Sequence, residues 1–408
     1  MNPGFEELKP FSIVSHGSTF KGVSGHRIAC DEYGDGLFVV GGWNPSFTAP
    51  NSENQMDRRY VREIWKFNQT KKIWTQLRCD DPPISLASHC LVNLGRSAVE
   101  GASKLLVFGG SLSARGFLGN SNETYLYHVG EERWERLSTT GTPPARENGH
   151  WFGQAMAKRG NHIYVASGRS IQNIDRMEIH RLNLETLVWE NLTPSNSRNN
   201  EGPKCRVRPE IVVDQNERVY ILGGAIDFIG EAYDLTNIPY FDARTRTWNI
   251  LRSLPDTTGG LPKRRSCLGA VIFNENVYVV GGYFRDRWDG NFDHPAATEI
   301  LDDFWRLHLP TGKWTKYSFR LPRPLWFHAV DVDENGVMYV FGGCVNEDYD
   351  ADRTTQVWSV KLTVPSLKRL AWDRVLKCSS PVLSKLPCEE ICNQLSLPAS
   401  FIAHKVKW

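Results

Sequence analysis

Side chains capable of chemistry are plentiful in this chain but poorly spaced for it. It has 11 histidines and 46 acidic residues. There is no His-Glu-x-x-His pair for zinc, no glycine-rich phosphate loop and no Gly-x-Ser-x-Gly nucleophile turn. Asp302 and Asp303 are adjacent in a strand-like run, where neighbours point to opposite faces. Glu389 and Glu390 are adjacent in a run that reads as helix. The histidines show no metal-ligand spacing. The nine cysteines are Cys30, Cys79, Cys90, Cys205, Cys267, Cys344, Cys378, Cys388 and Cys392. Their number is odd and none forms a Cys-x-x-Cys pair, so they read as buried, reduced thiols in a cytosolic or nuclear protein. No catalytic role, metal or cofactor is expected.

Binding chemistry is better represented. His26, Arg27, Arg206, Arg208, Arg264, Arg265 and His328 precede apolar strand-like runs. Trp43, Arg169 and Tyr283 follow small-residue pairs, with Arg176 a little further on. A single arginine more often pairs with a nearby acid or faces water. Recurrence at equivalent positions makes the set a candidate for holding an anion, because a guanidinium meets a carboxylate with two parallel hydrogen bonds. The formal net charge is +2, from 48 basic and 46 acidic residues. That balance gives no electrostatic reason to expect nucleic acid or an anionic membrane. Met1 to Lys9 carries two acids and no apolar run, so it does not read as a signal peptide. No stretch approaches the roughly 18 apolar residues of a membrane span.

The elements that position these residues repeat six times. Apolar strands end in a small pair at Gly41-Gly42, Gly109-Gly110, Ser167-Gly168, Gly223-Gly224, Gly281-Gly282 and Gly342-Gly343. Successive pairs are 68, 58, 56, 58 and 61 residues apart. Trp74, Trp134, Trp189, Trp248 and Trp314 follow the first five pairs, each in a short strand after a turn, as in HRLNLETLVW and WRLHLPTGKW. Each unit supplies about four antiparallel strands. The run before each glycine pair is apolar without alternation, as a strand buried on both faces must be. The tryptophan offers apolar surface to the neighbouring unit. The sixth unit lacks a tryptophan strand after Val357 to Leu362. A ring leaves exposed edges unless it closes, so residues 8–14 are expected to supply the outer strand of the last blade.

Six repeats of an apolar strand, a double glycine and a spaced tryptophan resemble the kelch family. The resemblance covers residues 1–364 and implies an all-β, six-bladed β-propeller. Residues 365–408 then form a short α-helical tail. After Val364-Pro365-Ser366, residues Leu367, Leu370, Ala371, Arg374, Val375 and Cys378 recur at helical spacing. Ser366-Leu367 through Leu370, Ala371 and Val375 (366–375) resembles a BC-box. Leu386-Pro387 through Ile391 (386–391) is similar to a cullin-2 box. In families carrying both boxes the first helix enters a groove of elongin C. The resemblance therefore implies a substrate receptor working with elongin B, elongin C, cullin-2 and a RING subunit, in cytoplasm and nucleus.

Receptors that this chain resembles read the extreme C-terminus of a substrate, with glycine- or alanine-ending tails preferred. That resemblance implies a carboxylate held by Arg206, Arg208, Arg264 and Arg265, or by Arg169 and Arg176, with His26 nearby. It also implies a narrow pocket walled by Trp43, Tyr283 and Trp326. A scaffold in stress-activated MAP kinase signalling or cytoskeletal binding, with a tail that only caps the propeller, is the competing class. A propeller enzyme of the galactose-oxidase kind is the third.

Overall fold

The computed structural model describes residues 4–9, 12–15, 19–31, 36–46, 59–69, 71–83, 86–96, 102–111, 121–144, 151–166, 169–170, 176–193, 202–226, 231–286, 297–347 and 353–363. Among them there is no α-helix; the strands form six blades. Blade 1 holds Arg27–Cys30, Gly36–Val40, Ile64–Asn68 and Ile73–Leu77. Blade 2 holds Cys90–Arg96, Ser103–Phe108, Thr124–His128 and Arg133–Arg136. Blade 3 holds Ala155–Arg159, His162–Ala166, Ile179–Asn183 and Val188–Asn191. Blade 4 holds Glu210–Val213, Arg218–Leu222, Asn237–Asp242 and Thr247–Arg252. Blade 5 holds Gly269–Phe273, Asn276–Arg285, Thr298–His308 and Lys313–Lys316. Blade 6 holds Ala329–Val332, Val337–Phe341 and Val357–Lys361, completed by Glu6–Glu7. The first strand of each blade packs on that of the next, and blade 6 packs on blade 1, so the ring is closed.

Among the described residues most of the core lies in six slabs, one at each blade interface, and a smaller cluster of Trp43, Tyr60 and Ala87 stands apart. Leu37 and Val39 face the slab shared with blade 6, whereas Phe38 and Val40 face the slab shared with blade 2. Both faces of that strand meet apolar surface, which is why its sequence shows no alternation. The repeated tryptophans follow one rule. Trp74, Trp134, Trp189, Trp248 and Trp314 each pack toward the preceding blade. Blade 6 has no outer-strand tryptophan; Trp358 of its third strand faces blade 5 instead, with Phe5 packed alongside.

The chain's first residues close the ring differently from expectation. The expected strand over 8–14 is divided between two blades. Glu6 and Glu7 pair antiparallel with Ser359 and Trp358, and the Leu8 amide donates to the Val357 carbonyl at 2.9 Å. Ser12–Val14 instead runs parallel to Ile73–Leu77 on the outer edge of blade 1. Other blades show the reason. Thr140–Gly141, arriving from blade 2, lies parallel on the outer strand of blade 3. Asp80 and Leu254 make parallel bridges to the outer strands of blades 2 and 5. Blades 1, 2 and 4 each hand their connector to the outer edge of the next, and Ser12–Val14 does the same from blade 6 to blade 1. The expected helical tail, with the two box-like segments, lies outside the described residues.

Candidate functional site

Six equivalent residues ring the axis where the chain enters each innermost strand. They are Gly25, Ser88, Gly153, Arg208, Cys267 and Phe327, and all have left-handed backbone, with φ between 51° and 64°. The bend is a property of the architecture, since it recurs in every blade. For a side chain other than glycine it costs about 1–2 kcal/mol. Amide-to-carbonyl hydrogen bonds join ring members in pairs: Ser88 to Gly25, Arg208 to Gly153 and Phe327 to Cys267. Four of the six residues are small. The other two, Arg208 and Phe327, meet, with the guanidinium 3.8 Å from the ring centroid. Phe327 stacks on Trp326 at 4.5 Å, and Trp326 on Tyr283 at 4.9 Å. A ladder of planar groups thus runs from the axis to the rim across blades 5 and 6.

Side chains that follow ring members pack between neighbouring blades. His328 sits against Gly281 of blade 5, where a Cβ would lie 2.8 Å from the imidazole Cε1. His26 packs in the same way on Gly342 of blade 6, and Gln154 on Gly109 of blade 2. Glycine at the strand end is therefore space for the next blade's side chain. Burial holds the His26 and His89 imidazoles down to about 3 and His328 down to about 4, so all three are neutral. His26, expected at the ligand, is 3 % exposed and belongs to this packing.

Below the ring, Arg27 of blade 1 crosses the axis to Glu210 of blade 4 at 2.7 Å. Burial lifts the Glu210 carboxyl above the usual carboxylate range, against the pull of Arg27. The pair divides the axial space into a mouth of about 50 Å³ and a chamber of about 440 Å³. The mouth is lined by the six ring residues together with His26, Gln154, Leu268 and His328. In the chamber wall, Asp331 accepts the Cys30 amide at 2.7 Å, and burial pushes its carboxyl up to about 6. Among the described residues no group of three or more histidine, cysteine or acidic side chains is placed to hold a metal ion.

The structure separates the expected arginines. Arg208 is at the mouth. Arg206, two residues earlier in the chain, is buried, donating to the Gly223 carbonyl at 2.9 Å and lying 4.1 Å from the Tyr233 ring centroid. No ion pair to Arg206 is formed among the described residues, and burial lowers its pKa to about 10. Arg265 belongs to the wall: fully buried, it makes two bonds to Asp303, at 2.6 and 3.1 Å, and donates to the carbonyls of Lys263 and Gly281. Arg264 pairs with Glu231 on the rim. Arg176 donates to the Gly202 carbonyl at 2.7 Å. Arg169 lies in a strand paired with Trp151–Phe152, a two-stranded sheet separate from those of the six blades. Tyr283 and Trp326 do stand together, but Trp43 is 4 % exposed at the seam of blades 6 and 1, under the Arg353 guanidinium at 4.9 Å. Ser366, Leu367, Leu370, Ala371, Val375, Leu386, Pro387 and Ile391 lie outside the described residues.

Sequence reasoning missed Ser88, Cys267, Phe327 and Glu210. For Ser88, Cys267 and Phe327 a shared offset was available, since each ring residue precedes an innermost strand by two positions. The contact between Arg27 and Glu210, 183 residues apart, left no such signal.

The KLHDC2/KLHL20/DRC7 Kelch-repeats domain model matches residues 25–282 and again 212–381, together most of the chain. The chain belongs to the kelch-repeat family. Kelch domain-containing protein 10 of Xenopus laevis is 34 % identical over 380 residues, 93 % of this chain and 84 % of that protein. The Rattus norvegicus protein of the same name is 34 % identical over 354 residues, 86 % of this chain and 78 % of its own. Kelch domain-containing protein 2 of Bos taurus is 21 % identical over 413 residues, covering 92 % of each chain.

Proposed function

We propose that this kelch protein is the substrate-recognition subunit of a cullin-2 RING ubiquitin ligase, joined through elongins B and C. On this reading the axial mouth binds C-terminal tails ending in glycine or alanine, for ubiquitination and proteasomal degradation in cytoplasm and nucleus. The observation that carries the mouth's role is the position of Arg208 against Phe327 at the axis. A carboxylate entering there gains charge-assisted hydrogen bonds in a partly desolvated site, and each contributes about 1.5–3 kcal/mol. The ligase assignment is supported by the order of the two boxes directly after the propeller, at 366–375 and 386–391.

The assignment is tested by co-purifying the chain with elongins B and C. Leu367→Lys should abolish the complex, because it places an unpaired charge in an apolar groove. The propeller's melting temperature should not change. Elongin binding that survives the substitution removes the BC-box and leaves a scaffold with a capping tail.

A further inference from the structure

Among the described residues, one ion pair crosses the axial channel. Arg27 and Glu210 are the two residues that line both the mouth and the chamber beneath it. They come from blades on opposite sides of the ring, and those blades share no core slab. Lateral ties between adjacent inner strands already exist: Asp331 accepts the Cys30 amide, and Asn93 donates to the Cys30 carbonyl. A buried ion pair is weak evidence for stabilisation, because desolvating two charges offsets their attraction. Holding the ring together therefore does not account for a pair across its axis. Its geometric consequence is to give the mouth a floor. Each head group is fixed by the other, and Arg27 Nε is also aimed at the His89 carbonyl, 3.3 Å away.

The volumes show what the floor decides. The mouth has about 50 Å³, and a water needs about 10–15 Å³ on the same scale. A terminal carboxylate with its α-carbon fits that space. A leucine or phenylalanine side chain fits only in the 440 Å³ chamber below. We infer that the Arg27–Glu210 pair is a depth stop that restricts the mouth to glycine- and alanine-sized chain ends. The inference rests on the tail-binding reading above, and it moves the size filter from aromatic walls to an ion pair on the floor.

The test measures fluorescence anisotropy of labelled peptides on the full chain. The peptides end in Gly, Ala, Leu or Phe, each as free acid and as amide. Wild type is compared with the double variant Arg27→Ala, Glu210→Ala, which removes both charges so that neither is left buried alone. Wild type should prefer the two small ends by about 10–200-fold, the range that one mis-sized apolar group gives in a fitted pocket. The double variant should bring all four acids within a few-fold of each other. Should that variant not melt cooperatively, Arg27→Ser with Glu210→Ser carries the same comparison. If wild type prefers acid to amide but the double variant keeps the size ranking, the depth stop is wrong and tail binding stands. If acid and amide bind wild type equally, tail binding fails and takes the depth stop with it.

Discussion

The two sides of the ring use equivalent positions in opposite ways. On blades 6, 1 and 2 the residue entering the inner strand is histidine, namely His328, His26 and His89. The residue three places earlier is Leu325, Val23 or Leu86. On blades 4 and 5 the entering residues are Pro209 and Leu268, and three places earlier stand Arg206 and Arg265. One side is polar but neutral, and the other carries charge. Within the charged side the two arginines differ again. Each donates to the first carbonyl of its blade's glycine pair, but Arg265 is neutralised by Asp303. Extending the strand register of blade 4 puts Asn237 where blade 5 has Asp303. A fold repeated six times thus pairs one arginine with an acid and leaves the other with no ion pair among the described residues.

The largest effect expected from this contrast is on stability. Arg265→Met strands Asp303 and should cost about 3–5 kcal/mol in denaturant unfolding. Arg206→Met should change stability by no more than about 1 kcal/mol while weakening tail binding. Equal costs would make both arginines structural. The histidine side predicts acid sensitivity. Each of the three imidazoles has a folded pKa far below the unfolded value of about 6.5. Below that pH the unfolded chain takes up protons that the folded chain refuses. Stability should therefore fall between pH 6.5 and 4, by up to about 1.4 kcal/mol per pH unit for each histidine. Asp331, raised to about 6, opposes this below pH 6 with the weight of one group. Replacing all three histidines by glutamine, the residue that blade 3 has at this position as Gln154, should flatten the slope. A slope unchanged in that variant would contradict the buried packing of these histidines. The smallest effect concerns Asn237→Asp, which gives Arg206 the partner that Arg265 has. It should add about 1 kcal/mol of stability and weaken tail binding; tighter binding would place Arg206 outside the site.

What could be read from sequence was whatever depends on local repetition. The glycine pairs, the apolar runs before them and the tryptophans after turns specify blades without reference to distant residues. The closing segment was half legible. Its location at the chain's start follows from the incomplete sixth unit, but strands of two and three residues carry no periodicity, so their division between blades 6 and 1 does not. The site was least legible because it is made across blades. His26 and Trp43 resemble ligand groups until the neighbouring Gly342 and Arg353 are placed beside them. Arg265 looks the same as Arg206 until Asp303 arrives from another strand. Phe327 became a site residue only through its contact with Arg208.

The central claim is that the mouth holds a chain terminus, and one cycle tests it most directly. Binding of a glycine-ended peptide and its amide is measured on wild type and on Arg208→Met. Amidation alone and the substitution alone should each cost about tenfold or more. Together they should cost little more than either, because groups in direct contact share one penalty. If acid and amide bind wild type equally well, or if the two losses simply add, Arg208 does not hold a terminal carboxylate and the account of the mouth is contradicted.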